Sequence, residues 1–171
     1  MDIVQFIDVD YLKDNTPIEQ NVDVDKLLPH IFDAQEARIM PLLGESFYRH
    51  LEDAVINSTL TAEETLLLKR YIQPCLADWA YYQAYPSLAI KTTNKGASKE
   101  NSEFSSNADL NEMKYMRADI REIAELKNIR LKNELKRGCL SGIYPLAKAI
   151  YGDNPKKTNK GTFSGLYIPK K

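Results

Sequence analysis

His30 and His50 are the only histidines in the chain, and neither has a cysteine beside it. His30-x-x-Asp33 sets an imidazole and a carboxylate about one helical turn apart, where both can face a single ion. A metal centre needs a third ligand, and nothing nearby supplies one, so no metal site is expected. Cys75 and Cys139 lie in unlike contexts. Cys75 falls within an apolar run and reads as a small core residue, and no disulfide between the two is expected. Asn94-Lys-Gly96 and Asn159-Lys-Gly161 are turns without the helix that a phosphate-binding loop requires. Asp78 is the only acid in the middle of the apolar run and reads as a partner for Arg or Lys rather than a general base. No nucleophile has a recognisable base beside it. These residues predict neither an enzyme nor a cofactor.

The elements that would position such residues centre on AEETLLLKRYIQPCLADWAYYQAY, residues 62–85. Thr61 and Glu64 form a capping-box pair at its start. Leu66, Leu67, Leu68, Tyr71, Ile72, Cys75, Leu76, Trp79, Ala80 and Tyr82 make it apolar on nearly every side, as a central helix covered by neighbours would be. Pro74 removes a backbone donor and crowds the carbonyl of Arg70, which predicts a kink. Pro86 is expected to stop the helix.

Before it, Lys26 to Met40 reads as a helix capped by Asp25, with Leu28, Ile31, Phe32, Gln35 and Ile39 on one face. Pro41-Leu-Leu-Gly44 ends that helix. A second runs from Glu45 to about Val55, with Phe47, Leu51 and Val55 inward. Residues 1–22 carry no evident helical period and read as an extended arm on another surface; the other reading is a strand or loop closing the domain's own core. Residues 88–107 hold an alternating β-branched stretch, Leu88 to Thr93, a turn at 94–96 and a polar run, which predicts a short β-hairpin arm.

The last long helix is expected over about 108–137, with Gly138 as its stop. Its main apolar stripe is Leu110, Met113, Met116, Ile120, Ile123, Ala124, Leu131 and Leu135. Tyr115, Ala118, Leu126 and Ile129 fall roughly opposite, with no evident partner in so small a chain. Acids dominate the start of this helix and bases its end, as the macrodipole favours. The tail, 151–171, has Lys156, Lys157, Lys160, Lys170 and Lys171. Within it Phe163, Leu166, Tyr167 and Ile168 have the character of a strand suited to another protein's sheet edge.

The predicted fold is therefore mainly α: a bundle around the kinked helix 62–85 and the long helix 108–137. It carries a hairpin arm and extended N- and C-terminal arms, with 23–150 as the helical domain. The chain has 171 residues, with 23 basic against 24 acidic, so no global field advertises nucleic acid or a membrane. No run approaches the ~18 apolar residues of a membrane span. The acidic N-terminus, MDIVQFIDVDYL, is unlike a signal peptide, and a reduced protein made in the cytoplasm is expected.

Asn21-Val-Asp23, Lys26-Leu-Leu-Pro-His-Ile31, Ile39-Met-Pro-Leu-Leu-Gly44, Phe47-Tyr48, Ile72-Gln-Pro74, Trp79-Ala-Tyr-Tyr82, Ile90-Lys91 and Asn94-Lys-Gly96 occur in order. Over residues 20–137 this pattern resembles a family of head–tail connector, or portal adaptor ring, proteins of tailed phages infecting Bacteroidetes, crAss-like phages included. The resemblance implies a virion protein made in the host cytoplasm and placed at the head–tail junction. It implies a ring of about twelve copies, each with two different faces, around a channel for genomic DNA bound without sequence specificity. Portal and tail proteins would be its partners, with no membrane. Tyr115, Leu126, Ile129, Ile90, Lys91, Phe163, Leu166, Tyr167 and Ile168 are then the expected subunit or partner contacts, with Lys156, Lys157 and Lys160 facing DNA. The alternative is a small helical nucleic-acid-binding protein acting through its basic, aromatic tail.

Overall fold

The computed structural model describes residues 4–89, 91–93, 96–98 and 110–151. The chain is mainly helical, and nearly all the buried apolar side chains among the described residues form one continuous core. Helix α1 is Val9–Asn15 and α2 is Val24–Ala34; a π turn, Gln35–Ile39, joins α2 to α3, Met40–Leu43. Helix α4 is Glu45–Ile56. Helix α5, Ala62–Leu67, runs through a second π turn, Leu68–Ile72, into α6, Gln73–Ala89. Helix α7 is Leu110–Leu140, and after a 3-10 turn, Pro145–Ala147, comes α8, Lys148–Tyr151. Helix α6 is the centre, packed against α1, α2 and α7.

The two π turns share a cause. In each, the backbone N–H just past the turn bonds five residues back, Met40 to Gln35 and Gln73 to Leu68. In each, a proline follows at the next position, Pro41 or Pro74. Proline offers no N–H and crowds the carbonyl four residues back, and a widened turn ahead of it relieves both demands. The disturbance at Pro74 thus takes the form of a π turn. The Thr61–Glu64 capping box forms as its sequence requires, each side chain bonding the other's backbone amide.

The N-terminal segment differs from the extended arm expected for residues 1–22. Asp8 caps α1 by accepting the Tyr11 N–H at 2.7 Å, and Phe6, Ile7, Val9, Leu12 and Ile18 are buried in the domain's own core. A spacing of three, as in Phe6, Val9 and Leu12, suits one side of a short helix, which a search for a long repeat passes over. Helix α2 begins two residues before the expected start, with Asp23 rather than Asp25 as its cap. Its inward side is Leu27, Ile31, Ala34, Gln35 and Ile39, while Leu28 and Phe32 are only half-buried.

Pro86 does not stop α6, which continues to Ala89, so Leu88 and Ala89 belong to the helix and not to an arm. Beyond it two three-residue strands, β1 (Lys91–Thr93) and β2 (Gly96–Ser98), pair antiparallel with Lys91 opposite Ser98. A lone pair of strands this short is marginal by itself and does not make a stable arm, so the class is mainly α without a hairpin layer.

Gly138 is not the stop of α7. It lies inside the helix, where a Cβ would come within 2.1 Å of the buried Tyr144 ring, so its role is to let that ring approach. The stop is Gly142 at φ +75°, with the Ile143 N–H bonded to the Gly138 carbonyl and the Gly142 N–H to that of Cys139. This is a Schellman closure, which needs a residue at ease with positive φ.

Candidate interaction surface

His50 Nε2 lies 2.6 Å from Glu64 Oε1, and the Thr61 hydroxyl donates to Glu64 Oε2 at 3.0 Å. The hydroxyl faces the carboxylate and not the imidazole. These groups border an open pocket of about 500 Å³ with Phe47, Ile143 and Pro145. His30 pairs with the Ser87 hydroxyl at 3.2 Å rather than with Asp33, and that hydroxyl donates to the Ala84 carbonyl. Among the described residues no three His, Cys, Asp or Glu side chains converge on a metal position, and no helix is long and apolar enough to cross a membrane. The Cys75 thiol is pushed up to about 12 by burial and then by the nearby Asp78 charge, so it is not a thiolate.

Asp78 has a basic partner: Lys127 Nζ lies 2.6 Å from its Oδ2 and also donates to the Pro74 carbonyl at 3.3 Å. Burial raises the Asp78 carboxyl, and the Lys127 ammonium draws it only partly back. The pair ties α7 to α6.

Glu64 shows the opposite balance. Burial alone would raise its carboxyl, but bonds from the Thr61 N–H, His50 and the Thr61 hydroxyl together hold it below the usual 4.5. A lowered folded value favours the ionised form, so this stabilisation is present above pH 4.5 and is lost as pH falls through the folded value. Glu64→Gln is expected to lower the denaturation midpoint at neutral pH and to flatten its fall on acidification, read by denaturant titration across that range.

Helix α7 is where the surface departs from an ordinary helical bundle. Ala124, Asn128, Leu131 and Leu135 are buried on α6 and its neighbours. On nearly the opposite side, Tyr115 is 73% exposed, Leu126 57%, Ile129 52% and Leu140 58%. The structure therefore places Tyr115, Leu126 and Ile129 together on one outward stripe, and adds Leu140. The expected inward stripe holds only for the second half of the helix. Met116 and Ile123 are about half exposed. They border a groove of about 290 Å³ with Pro17, Tyr81 and Ile120, edged by Asp78 and Asp119. Lys91 is described only as backbone in β1, and Ile90, Lys156, Lys157, Lys160, Phe163, Leu166, Tyr167 and Ile168 lie outside the described residues.

A polar node escaped the sequence reading. Gln35, fully buried, accepts the Phe6 N–H at 2.8 Å and donates to the Val4 carbonyl at 2.7 Å and the Tyr48 hydroxyl at 2.8 Å. Gln73 donates to the Phe6 carbonyl at 2.8 Å. Gln35 opens the first π turn and Gln73 follows the second, so both irregular turns present an amide to the N-terminal segment. The available signal was a glutamine near each Ile-x-Pro, Gln35 four residues before Ile39-Met-Pro41 and Gln73 inside Ile72-Gln-Pro74.

No curated protein and no solved structure matches the chain. A family model does match residues 39–148, from the end of the first π turn through the start of α8, the stretch that holds α6, α7 and the outward stripe. On that match the chain belongs to a family of unknown function, DUF6712.

Proposed function

We propose that this chain is a non-enzymatic structural subunit of a head–tail connector, an adaptor ring below the portal of a tailed phage, made in the host cytoplasm and carried in the virion. The observation that carries an assembly role is the stripe of α7, whose large apolar side chains face outward opposite a well-buried side. A monomer gains nothing from such a stripe, and a subunit uses it. The connector identity rests on the ordered motifs from Asn21 to Gly96 that resemble that family. In this reading about twelve copies form a closed ring with two unlike faces per subunit. Ile90, Lys91 and the tail segment Phe163 to Ile168 reach portal or tail proteins, and Lys156, Lys157 and Lys160 face the channel DNA without sequence preference.

Co-expression with a portal protein, followed by purification of portal-containing particles, tests it. The chain is expected to co-purify as a ring, and deletion of 154–171 is expected to weaken that incorporation. Tight binding of the free chain to DNA, falling steeply with salt, together with failure to enter any portal particle would overturn the reading in favour of the nucleic-acid module.

A further inference from the structure

The outward side of α7 carries a pattern that says what covers it. Tyr115, Glu122, Ile129 and Lys136 recur every seven residues, and Asp119, Leu126, Asn133 and Leu140 recur every seven from four positions later. Together they trace a coiled-coil seam over about 37 Å at about 1.5 Å per residue. All eight side chains are exposed. The seam is also palindromic about the peptide between Lys127 and Asn128. Tyr115 and Leu140 are equally far from that centre, as are Asp119 and Lys136, Glu122 and Asn133, and Leu126 and Ile129.

We propose that this seam is an isologous interface, covered by the same helix of a second copy of this chain running antiparallel. In an antiparallel pair each layer joins one series to the other. Tyr115 then meets Leu140 of the second copy, Asp119 meets Lys136, Glu122 meets Asn133 and Leu126 meets Ile129. Apolar residues fall on apolar ones, and each charged residue meets an opposite charge or an amide. The two-fold axis repeats every pairing. A parallel pair would set Asp119 on Asp119, Glu122 on Glu122 and Lys136 on Lys136, like charges in three of the four polar layers, so charge selects the antiparallel register. The polar layers limit affinity while fixing that register, which suits a pair that must open.

An isologous contact closes on itself and cannot continue round a ring. The pair is therefore a form of the free chain that shields the stripe, and it holds whether or not the connector reading does.

Sedimentation equilibrium of the full chain tests it over a range of concentrations. The mass is expected to rise with concentration from 19.5 kDa towards twice that value. Asp119→Lys and Lys136→Asp each place like charges in two layers, and each is expected to weaken the dimer at least about tenfold. The double variant restores both layers and with them the dimer. Both positions are exposed, and circular dichroism will verify that the helices are retained. A chain that stays monomeric throughout would overturn the proposal. So would a dimer that the single reversals leave unchanged, or single losses that the double variant fails to repair; the last two point to another face or to a parallel register.

Discussion

Gln35→Ala is expected to destabilise the fold by about 3 kcal/mol and to loosen residues 4–22 before the rest unfolds. A buried amide that loses its partner costs about 1–3 kcal/mol. Here truncation strands the Phe6 N–H and the Val4 carbonyl together and takes one of the Tyr48 hydroxyl's two partners, the other being Glu36 at 2.7 Å. Gln73 still holds the Phe6 carbonyl, and the Phe6 ring still meets Tyr48 edge-on at 5.5 Å, so the segment is loosened but not released. Against a typical total of about 5–15 kcal/mol the loss is large. Denaturant unfolding reads its size, and amide exchange at Phe6 reads its place. Gln35→Glu separates hydrogen bonding from volume. Its carboxylate can accept the Phe6 N–H but faces the Val4 carbonyl with no donor, so at neutral pH it should fare no better than alanine and should recover on acidification. A loss below about 1 kcal/mol for both variants would show that the node is not what holds the N-terminus.

What could be read in the sequence follows the distance over which each feature is decided. The Thr61–Glu64 box is local and was legible. So was the α7 stripe, since Tyr115, Leu126 and Ile129 are placed by helical period alone. Gln35 was assigned correctly to the inward side of its helix, but its task depends on Phe6, 29 residues away, and no local rule connects them. Gly138 misled because glycine marks helix ends so often. Its reason is the ring of Tyr144, and the true stop, Gly142, declares itself only through its φ. Pro86 misled in the same way: Tyr85 and Ala84 pack into the core, and that packing holds the helix past a residue that disfavours it. Of the expected contact residues, those on α7 are placed together. The expected tail contacts lie outside the described residues.

Trp79→Ala is expected to cost the most of any single truncation, about 3–5 kcal/mol. Trp79 is fully buried, and its indole N–H donates to Asn128 Oδ1 at 3.2 Å, the same oxygen that the Cys75 thiol approaches at 3.2 Å. The Arg38 guanidinium lies 4.2 Å from the ring centroid and Tyr82 meets the ring edge at 5.6 Å. The indole thus joins three parts: α6, which carries it, the first π turn through Arg38, and the inward side of α7 through Asn128. Trp79→Phe separates the contributions. It keeps most of the buried area and loses the bond to Asn128, whose oxygen still has the Cys75 thiol, so about 1–2 kcal/mol is expected. Asn128→Ala should cost a similar amount by stranding the indole N–H, and the double variant should cost less than the sum, the mark of a shared bond. Asn128 stands two residues from Leu126 and one from Ile129, on the other side of the same helix. A loosened Trp79–Asn128 contact should therefore also disturb the outward seam. Trp79→Ala is expected to lose self-association along with stability, and Trp79→Phe to keep it. Denaturant midpoints and sedimentation on the same preparations check both. If Trp79→Ala retains the wild-type dimer while losing several kcal/mol, the core does not set the geometry of the seam.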